Sequence, residues 1–505
     1  MIYQNPIVRG FYPDPSVCAA NGKYYLVCSS FQYFPGVPLF ESEDLINWTQ
    51  IGHVLTRESQ VMLDKVRSSG GVFAPTIRYH EGRFYMVTNN NSTNKNFYVY
   101  TDDIYGEWSD PIEVDQDGID PSLFFEDGHC YFISNGHDEE DVNGILQCEI
   151  DIKTGEKIGK GKRIWSGSGG RYLESPHMYK IGNYYYLMAA EGGTEYGHMV
   201  TYARSESVWG PFEEYGNNPV LTNRNKAPYI IQAIGHGDLI QDTHGNWHIL
   251  TLGFRQIHLW QPYHHLGREV FLTPVQFRED GWFTAGKDGT TDFEYEMVGD
   301  FTQNRKNLYT FENTSWNLDW CFMRKMRPDN YELSDTRAVL KGCELTLEDV
   351  DSPTFIALRQ LDFNMELGVD VSFKKSEIAS PTIPYGTAGV TVYGCENEHY
   401  DLLIRKADNS RSEAYEAVLR LNIGDIKHEQ TIIPIDSPSC RLIIRSDALT
   451  YHFYIQTNAS EIFLGSAQSK YLSSEVSSGF TGVVLGLFAE GNSVGTFTNL
   501  QIEYE

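Results

Sequence analysis

Over residues 1 to about 290, apolar and polar positions alternate in short, aromatic-rich runs, and five of these runs open on a glycine. The copies are GKYYLV from Gly22, GRFYMV from Gly82, GHCYFI from Gly128, GNYYYLM from Gly182 and GNWHIL from Gly245. A period near two in residues that favour pleated surfaces predicts strands. Spacings of 46 to 63 residues match four-stranded propeller blades, so five copies predict a five-bladed β-propeller. A second recurring element supports this: ESEDLINWTQI near Trp48, TDDIYGEWSDP near Trp108 and ARSESVWGPFEE near Trp209 read as outer blade strands, with KRIWSG at Trp165 a degenerate copy. Around Asp280–Gly299 the periodicity lapses into a Gly/Asp/Thr-rich connector, where the domain boundary is expected. Beyond it, CELTLEDV, ELGVDVSF, RLIIRS, YHFYIQT and GTFTNLQIEY alternate in short strands, the pattern of a two-sheet sandwich. The expectation is an all-β chain, with a propeller over 1–295 and a jelly-roll or lectin-like β-sandwich over 296–505.

Composition narrows the partners. Forty Lys and Arg against 68 Asp and Glu leave a formal charge of −28, which opposes nucleic acid, anionic membrane surfaces and polyanionic substrates. No stretch is long and apolar enough to span a bilayer. The N-terminus lacks the basic-then-apolar pattern of a signal peptide, so a cytoplasmic location is expected. The eight cysteines are scattered without CxxC pairs, which argues against a structural metal site and for reduced thiols.

The chemistry is expected six to nine residues before each repeat glycine, where Asp14, Thr76, Asp120, Glu174 and His236 stand beside Pro, Ser or Gly. In a propeller the innermost strands crowd the axis, so equivalent positions on successive blades point into one cavity. An Asp before Pro is ordinarily a turn residue, but Asp14 and Asp120 both begin D-P-S at the same offset. Glu174, among apolar neighbours, is placed to hold a proton near neutral pH. His236 alone reads as a core histidine or a metal ligand, and Arg255, at an inner strand end, as the partner of a carboxylate or of substrate hydroxyls. Carboxylates flanking one cavity are the equipment of glycoside hydrolysis. Phe31 and Phe73 are candidates for the pocket wall.

NPIVRGFYPDPS, SSFQYFPGVPLFESEDLINW, GGVFAPTIRYHEGRFY, GIDPSLFFEDG, LESPHMY, AEGGTEYGHMVTYARS and HHLGREVF together resemble glycoside hydrolase family 43, in its β-xylosidase and α-L-arabinofuranosidase branch with a C-terminal sandwich. The resemblance implies an inverting exo-glycosidase with Asp14 as general base, Glu174 as general acid and Asp120 raising the acid's pKa, itself ionised near Arg255. It implies pocket contacts from Arg255, Phe31, Phe73 and Thr194, and from Phe480 in the SSGFTGVVLG loop of the second domain. No cofactor is required; His236 matches an axial histidine that in some members contacts a divalent metal, often calcium, through water. Two departures stand out: Phe73-Ala74-Pro75-Thr76 where many relatives have W-A-P-D, and Glu174-Ser175-Pro176 where they have E-G-P. The expected reaction is release of terminal xylose from short xylo-oligosaccharides by a chain that can form homo-oligomers. Arabinofuranosidase or dual activity is the alternative, and a non-catalytic carbohydrate-binding propeller the remote one. A phosphorylase on the same fold ranks last, because no basic cluster for phosphate is evident beside the acid.

Overall fold

The computed structural model describes residues 1–505 except 227, 376–385, 408–413 and 459. Five four-stranded antiparallel sheets follow one another through residue 285. Their first strands are Ser16–Ala20, Thr76–His80, Ser122–Glu126, Glu174–Ile181 and Ile231–Gln241, and these pack against one another in a ring. The sequence repeat is the hairpin that joins each first strand to the second. Asn21-Gly22, Glu81-Gly82 and Asp127-Gly128 are two-residue turns with positive φ at both positions, the backbone that matches the strands' own twist. The recurring Trp precedes the outermost strand: Trp48 before Thr49–Leu55, Trp108 before Ile112–Val114, Trp209 before Glu213–Glu214.

One expectation shifts. The Gly/Asp/Thr-rich segment after Asp280 is not wholly connector: Phe283–Ala285 is the outer strand of the fifth blade, and Glu294–Glu296 pairs with the N-terminal strand Ile2–Gln4. Trp282 fills the place that the other Trp residues hold, so a fourth full copy of that element lay inside the apparent linker. The N-terminal segment also runs along the fifth blade, with Ile7 N donating to Val270 O at 2.8 Å, so the first residues close the ring.

From Leu308 on, the chain builds two eight-stranded sheets around a continuous apolar core that includes Trp320, Val369, Val390, Leu402, Ile444 and Phe497. The edge of one sheet is not its own. Tyr33–Phe34, an excursion from the first blade, pairs with Cys321–Met323 and becomes the eighth strand. Propeller residues Phe11, Phe31 and Tyr33 share one buried cluster with Met323, Phe355, Tyr393 and Phe488 of the sandwich. This junction brings the loop carrying Phe480 onto the propeller.

Candidate active site

The first strands do not enter the ring as regular pleats. Asp14, Asp120 and His236 have φ of 57°, 51° and 48°, and Ser175, next to Glu174, has 54°. Positive φ is uncommon for residues with a Cβ and gathers where a structure holds strain for a purpose. Here each kink swings one side chain off the strand face and into the axis. Asp14, Asp120, Glu174 and His236 thereby line one small cavity of about 40 Å³ with Phe31, Phe73, Ala74, Ile119, Thr194, Arg268 and Phe480. The second blade contributes Phe73 and Ala74, not Thr76, whose hydroxyl turns away to donate to Pro121 O at 2.9 Å.

Aromatic rings close the cavity. Phe31 stacks on Phe480 with centroids 5.7 Å apart, and Phe73 meets both rings edge-on at 5.5 and 5.8 Å. Phe480 reaches this place from the sandwich. Beyond it opens a wider vestibule of about 600 Å³ that shares Glu174, Thr194, Arg268 and Phe480 and adds Tyr172, Tyr196, Phe254, His264 and Glu475. Glu475 accepts from His264 Nδ1 at 2.7 Å, from His264 N at 3.0 Å and from the Tyr196 hydroxyl at 3.0 Å. The 474–480 segment is thus tied to the propeller.

The arginine in the pocket is Arg268. Its Nη1 donates to Asp14 Oδ1 at 3.0 Å and to Thr194 Oγ1 at 2.8 Å, and Nη2 has no protein partner. Arg255, the residue expected there, instead forms a double hydrogen bond with Glu269 (2.8 and 2.9 Å) and bonds Asp362 at 2.9 Å, outside the cavity. Arg268 lies just before the strand Glu269–Phe277 and bonds Asp14 in the pocket, while Glu269, the first residue of that strand, bonds Arg255 behind it. The signal was present in HHLGREVF, which contains Arg268, but local pattern alone does not say which of two strand-end arginines points inward.

Charge is unequal across the carboxyls. Burial alone would raise the Asp14 carboxyl, but the Arg268 guanidinium, His236 and the Ser29 hydroxyl (2.5 Å) outweigh it and hold Asp14 below the ordinary aspartate range. Burial, reinforced by the charge of Asp14, pushes Glu174 up to about 7. Burial and the nearby Glu174 and Asp14 carboxyls also raise Asp120 well above its usual value, so the Asp120–Glu174 pair holds a proton where Asp14 holds none. Asp120 was expected ionised beside Arg255. With Arg255 elsewhere, the opposing influences are the more distant Arg268 and the Ser175 N–H, and they do not prevail.

The donors around His236 do not fit a directly bound metal ion. Burial lowers the pKa of its imidazole, whose Nδ1 lies 3.6 Å from Asp14 and 4.0 Å from Asp120. Deeper along the axis, Asp238 is already taken: it accepts from Arg78 Nη1 and Nη2 (2.9 and 3.2 Å), Ser16 Oγ (2.6 Å), Val17 N (2.9 Å) and the Tyr179 hydroxyl. Arg78 also donates to His177 Nδ1 at 2.7 Å, so a guanidinium occupies the axis as a fixed cation. Among the described residues no group of three or more potential ligands is arranged for a metal.

Comparison with known proteins identifies the family and the two-part fold. The family model for glycosyl hydrolases family 43 matches residues 3–283, and that for the beta xylosidase C-terminal concanavalin A-like domain matches 309–503. The chain is 37% identical over 499 residues to the non-reducing end alpha-L-arabinofuranosidase BoGH43B of Bacteroides ovatus, covering 97% of this chain and 92% of that one. It is 34% identical over 520 residues to a xylosidase/arabinosidase of Butyrivibrio fibrisolvens, covering 97% and 96%. Among solved structures, the Bacteroides ovatus xyloglucan PUL GH43B superposes with a TM-score of 0.90 at 36% identity over the whole of both chains. The xylan beta-1,4-xylosidase of Bacillus halodurans C-125 gives 0.88 at 28% identity, covering 99% of this chain and all of that one.

Proposed function

The chain belongs to glycosyl hydrolases family 43, and from that premise we propose that it removes a single terminal pentose, xylose in the first instance, from short oligosaccharides by an inverting, one-step displacement. The observation that carries this is the unequal protonation of carboxyls around one cavity: Asp14 is held below the ordinary aspartate range, while Glu174, in a pair with Asp120, is pushed up to about 7. In this reading Asp14 takes a proton from water, the water oxygen bonds to the anomeric carbon, and Glu174 delivers its proton to the departing glycosidic oxygen. Opposite protonation states on two carboxyls are what a base and an acid require in the same turnover. Asp120 touches neither water nor leaving group in this scheme. Its carboxyl shares one proton with Glu174, so the pair keeps a proton beside the ionised Asp14. Arg268, with an unbonded Nη2 beside Asp14, takes a sugar hydroxyl, the role expected of Arg255.

Exo action follows from the walls. Phe31, Phe73 and Phe480 wall the small inner cavity, which takes the terminal sugar in this reading, and the vestibule beyond Phe480 receives the leaving saccharide. The neutral substrate fits a chain of net charge −28.

A second reading, α-L-arabinofuranosidase or dual activity, is favoured by the named arabinofuranosidase at 37% identity over nearly the whole chain. Rates on aryl β-xyloside and aryl α-L-arabinofuranoside decide between them: a ratio above about ten either way assigns the main activity. Proton NMR of the first product anomer tests the displacement. Retained configuration overturns the assignment of Asp14 as a base.

A further inference from the structure

A second cleft, of about 520 Å³, lies where the propeller's N-terminal segment and first blade meet the sandwich, and it shares no residue with the catalytic pocket or its vestibule. Four cations line it, Arg9, Arg305, Lys306 and Arg359, against one carboxylate, Asp319. In a protein with 68 acidic and 40 basic residues this local inversion of sign is itself unusual.

Arg359 makes the case. Five arginines are buried among the described residues: Arg9, Arg255, Arg268, Arg324 and Arg359. Four of them pair with a carboxylate, through Asp362, Glu269, Asp14 and Glu396 respectively. Arg359, only 4% exposed, has no carboxylate partner among the described residues. Its Nε donates to Phe11 O at 2.9 Å, its guanidinium lies over the Tyr12 ring at 4.6 Å, and its Nη1 is buried without a hydrogen bond. Among the described residues this buried guanidinium lacks a carboxylate counter-ion and leaves one donor, Nη1, unbonded, a costly arrangement that a bound anion would complete. Arg305, at the exposed rim, likewise meets only backbone carbonyls, those of Gln4 (3.0 Å) and Pro6 (3.4 Å).

The remaining wall indicates what the anion is attached to. Tyr12, Phe40, Trp48 and Tyr309 present ring surfaces, and Asn47, Gln50 and Gln303 present amides. Rings for the faces of a saccharide, amides for its hydroxyls and guanidiniums for an acidic substituent form one recognition set. We propose that this cleft is a second ligand site that takes a small anionic sugar, its carboxylate or phosphate seated on Arg359 and Arg305.

The test is calorimetric titration and thermal melting of the full chain with glucuronate, glucose 6-phosphate and uncharged glucose at matched ionic strength. The expected result is a saturable rise in Tm with at least one of the two anions and none with glucose; which anion works separates a uronic acid from a sugar phosphate. Arg359→Met and Arg305→Gln should each weaken that binding tenfold or more. Arg359→Met should also melt no lower than the parent protein in ligand-free buffer, because it removes an uncompensated buried charge. If Arg359→Met does not fold, Arg305→Gln, at an exposed position, carries the test. Failure of both anions to exceed glucose, or full retention of the anion effect in the foldable variants, overturns the proposal.

Discussion

At the scale of single residues, the protonation of Glu174 links stability to catalysis, and the two respond to pH in the same direction. Glu174 has its pKa raised from the ordinary glutamate value to about 7. A raised carboxyl contributes stability that is fully present below its unfolded pKa and is lost as pH rises through the folded value, here between about 4.5 and 7. In the proposed reaction the same proton goes to the leaving oxygen, so kcat/KM should fall on the alkaline side with an apparent pKa near 7. Glu174→Gln, neutral at all pH, should remove the stability loss: at pH 8 it should unfold about 2–4 kcal/mol later than the parent in urea, and near pH 4.5 the two should converge. A gain independent of pH would mean that the ionised Glu174 is not the source. Glu174→Ala separates acid from base in turnover. Aryl pentosides with good leaving groups need little protonation and should lose far less activity than unactivated disaccharides. Equal losses on both remove Glu174 from the acid role. Sequence reasoning reached Asp14, Asp120 and Glu174 through their matched phase relative to the repeat glycines, because blade phase fixes which side chains face the axis. The expectation fell on Arg255 and not on Arg268, since both stand at strand ends and nothing local says which one reaches the cavity.

At the scale of elements, the pocket depends on a short segment that belongs to the other half of the chain. Residues 474–480 begin in a single helical turn, Ser474–Ser477, and end at Phe480, whose ring completes the wall with Phe31 and Phe73. That turn is too short to hold itself in place. Its anchors are tertiary: Glu475 on His264 and Tyr196, and Phe480 N donating to Ser69 Oγ at 2.8 Å. Burial would raise Glu475, but the bonds from His264 keep it below the ordinary glutamate value and hence charged at neutral pH. Glu475→Ala should therefore loosen the Phe480 wall without touching the acid and base. The expected outcome is a KM raised about tenfold with kcat changed less than threefold, and a partial return of KM in Glu475→Gln, which keeps one acceptor. A loss confined to kcat would place Glu475 nearer the chemistry than its contacts imply. None of this was legible in the chain's pattern. Hairpins announce themselves through two-residue turns, and SSGFTGVVLG marked Phe480, but a hydrogen bond between residues 264 and 475 leaves no local signature. The fifth blade's outer strand was hidden for a different reason: Trp282 and Phe283–Ala285 open the Gly/Asp/Thr-rich run that reads as a connector.

At the scale of the whole molecule, the two halves are one folding problem. Phe11, Phe31 and Tyr33 of the propeller lie in the same buried cluster as Met323, Phe355 and Phe488, and each is no more than 2% exposed. Tyr33–Phe34 completes a sandwich sheet, so cutting the chain leaves that sheet with an unpaired edge and the propeller with an unsupported excursion. Arg324 adds a polar tie, donating to Val66 O at 2.5 Å and to the carboxylate of Glu396. Separating the halves would expose three large aromatic side chains at a cost of about 2 kcal/mol each from transfer alone, comparable in sum to the whole stability of an ordinary domain. It would also remove Phe480 and open the inner cavity to water. Residues 1–307 expressed alone should accordingly form soluble aggregates or bind a hydrophobic dye strongly, and should show no measurable activity even on aryl pentosides. Size-exclusion chromatography and a rate measurement check both parts. A monodisperse propeller with kcat/KM within tenfold of the full chain would show that the sandwich merely accompanies the pocket, and that Asp14, Glu174 and Arg268 hold their geometry without it.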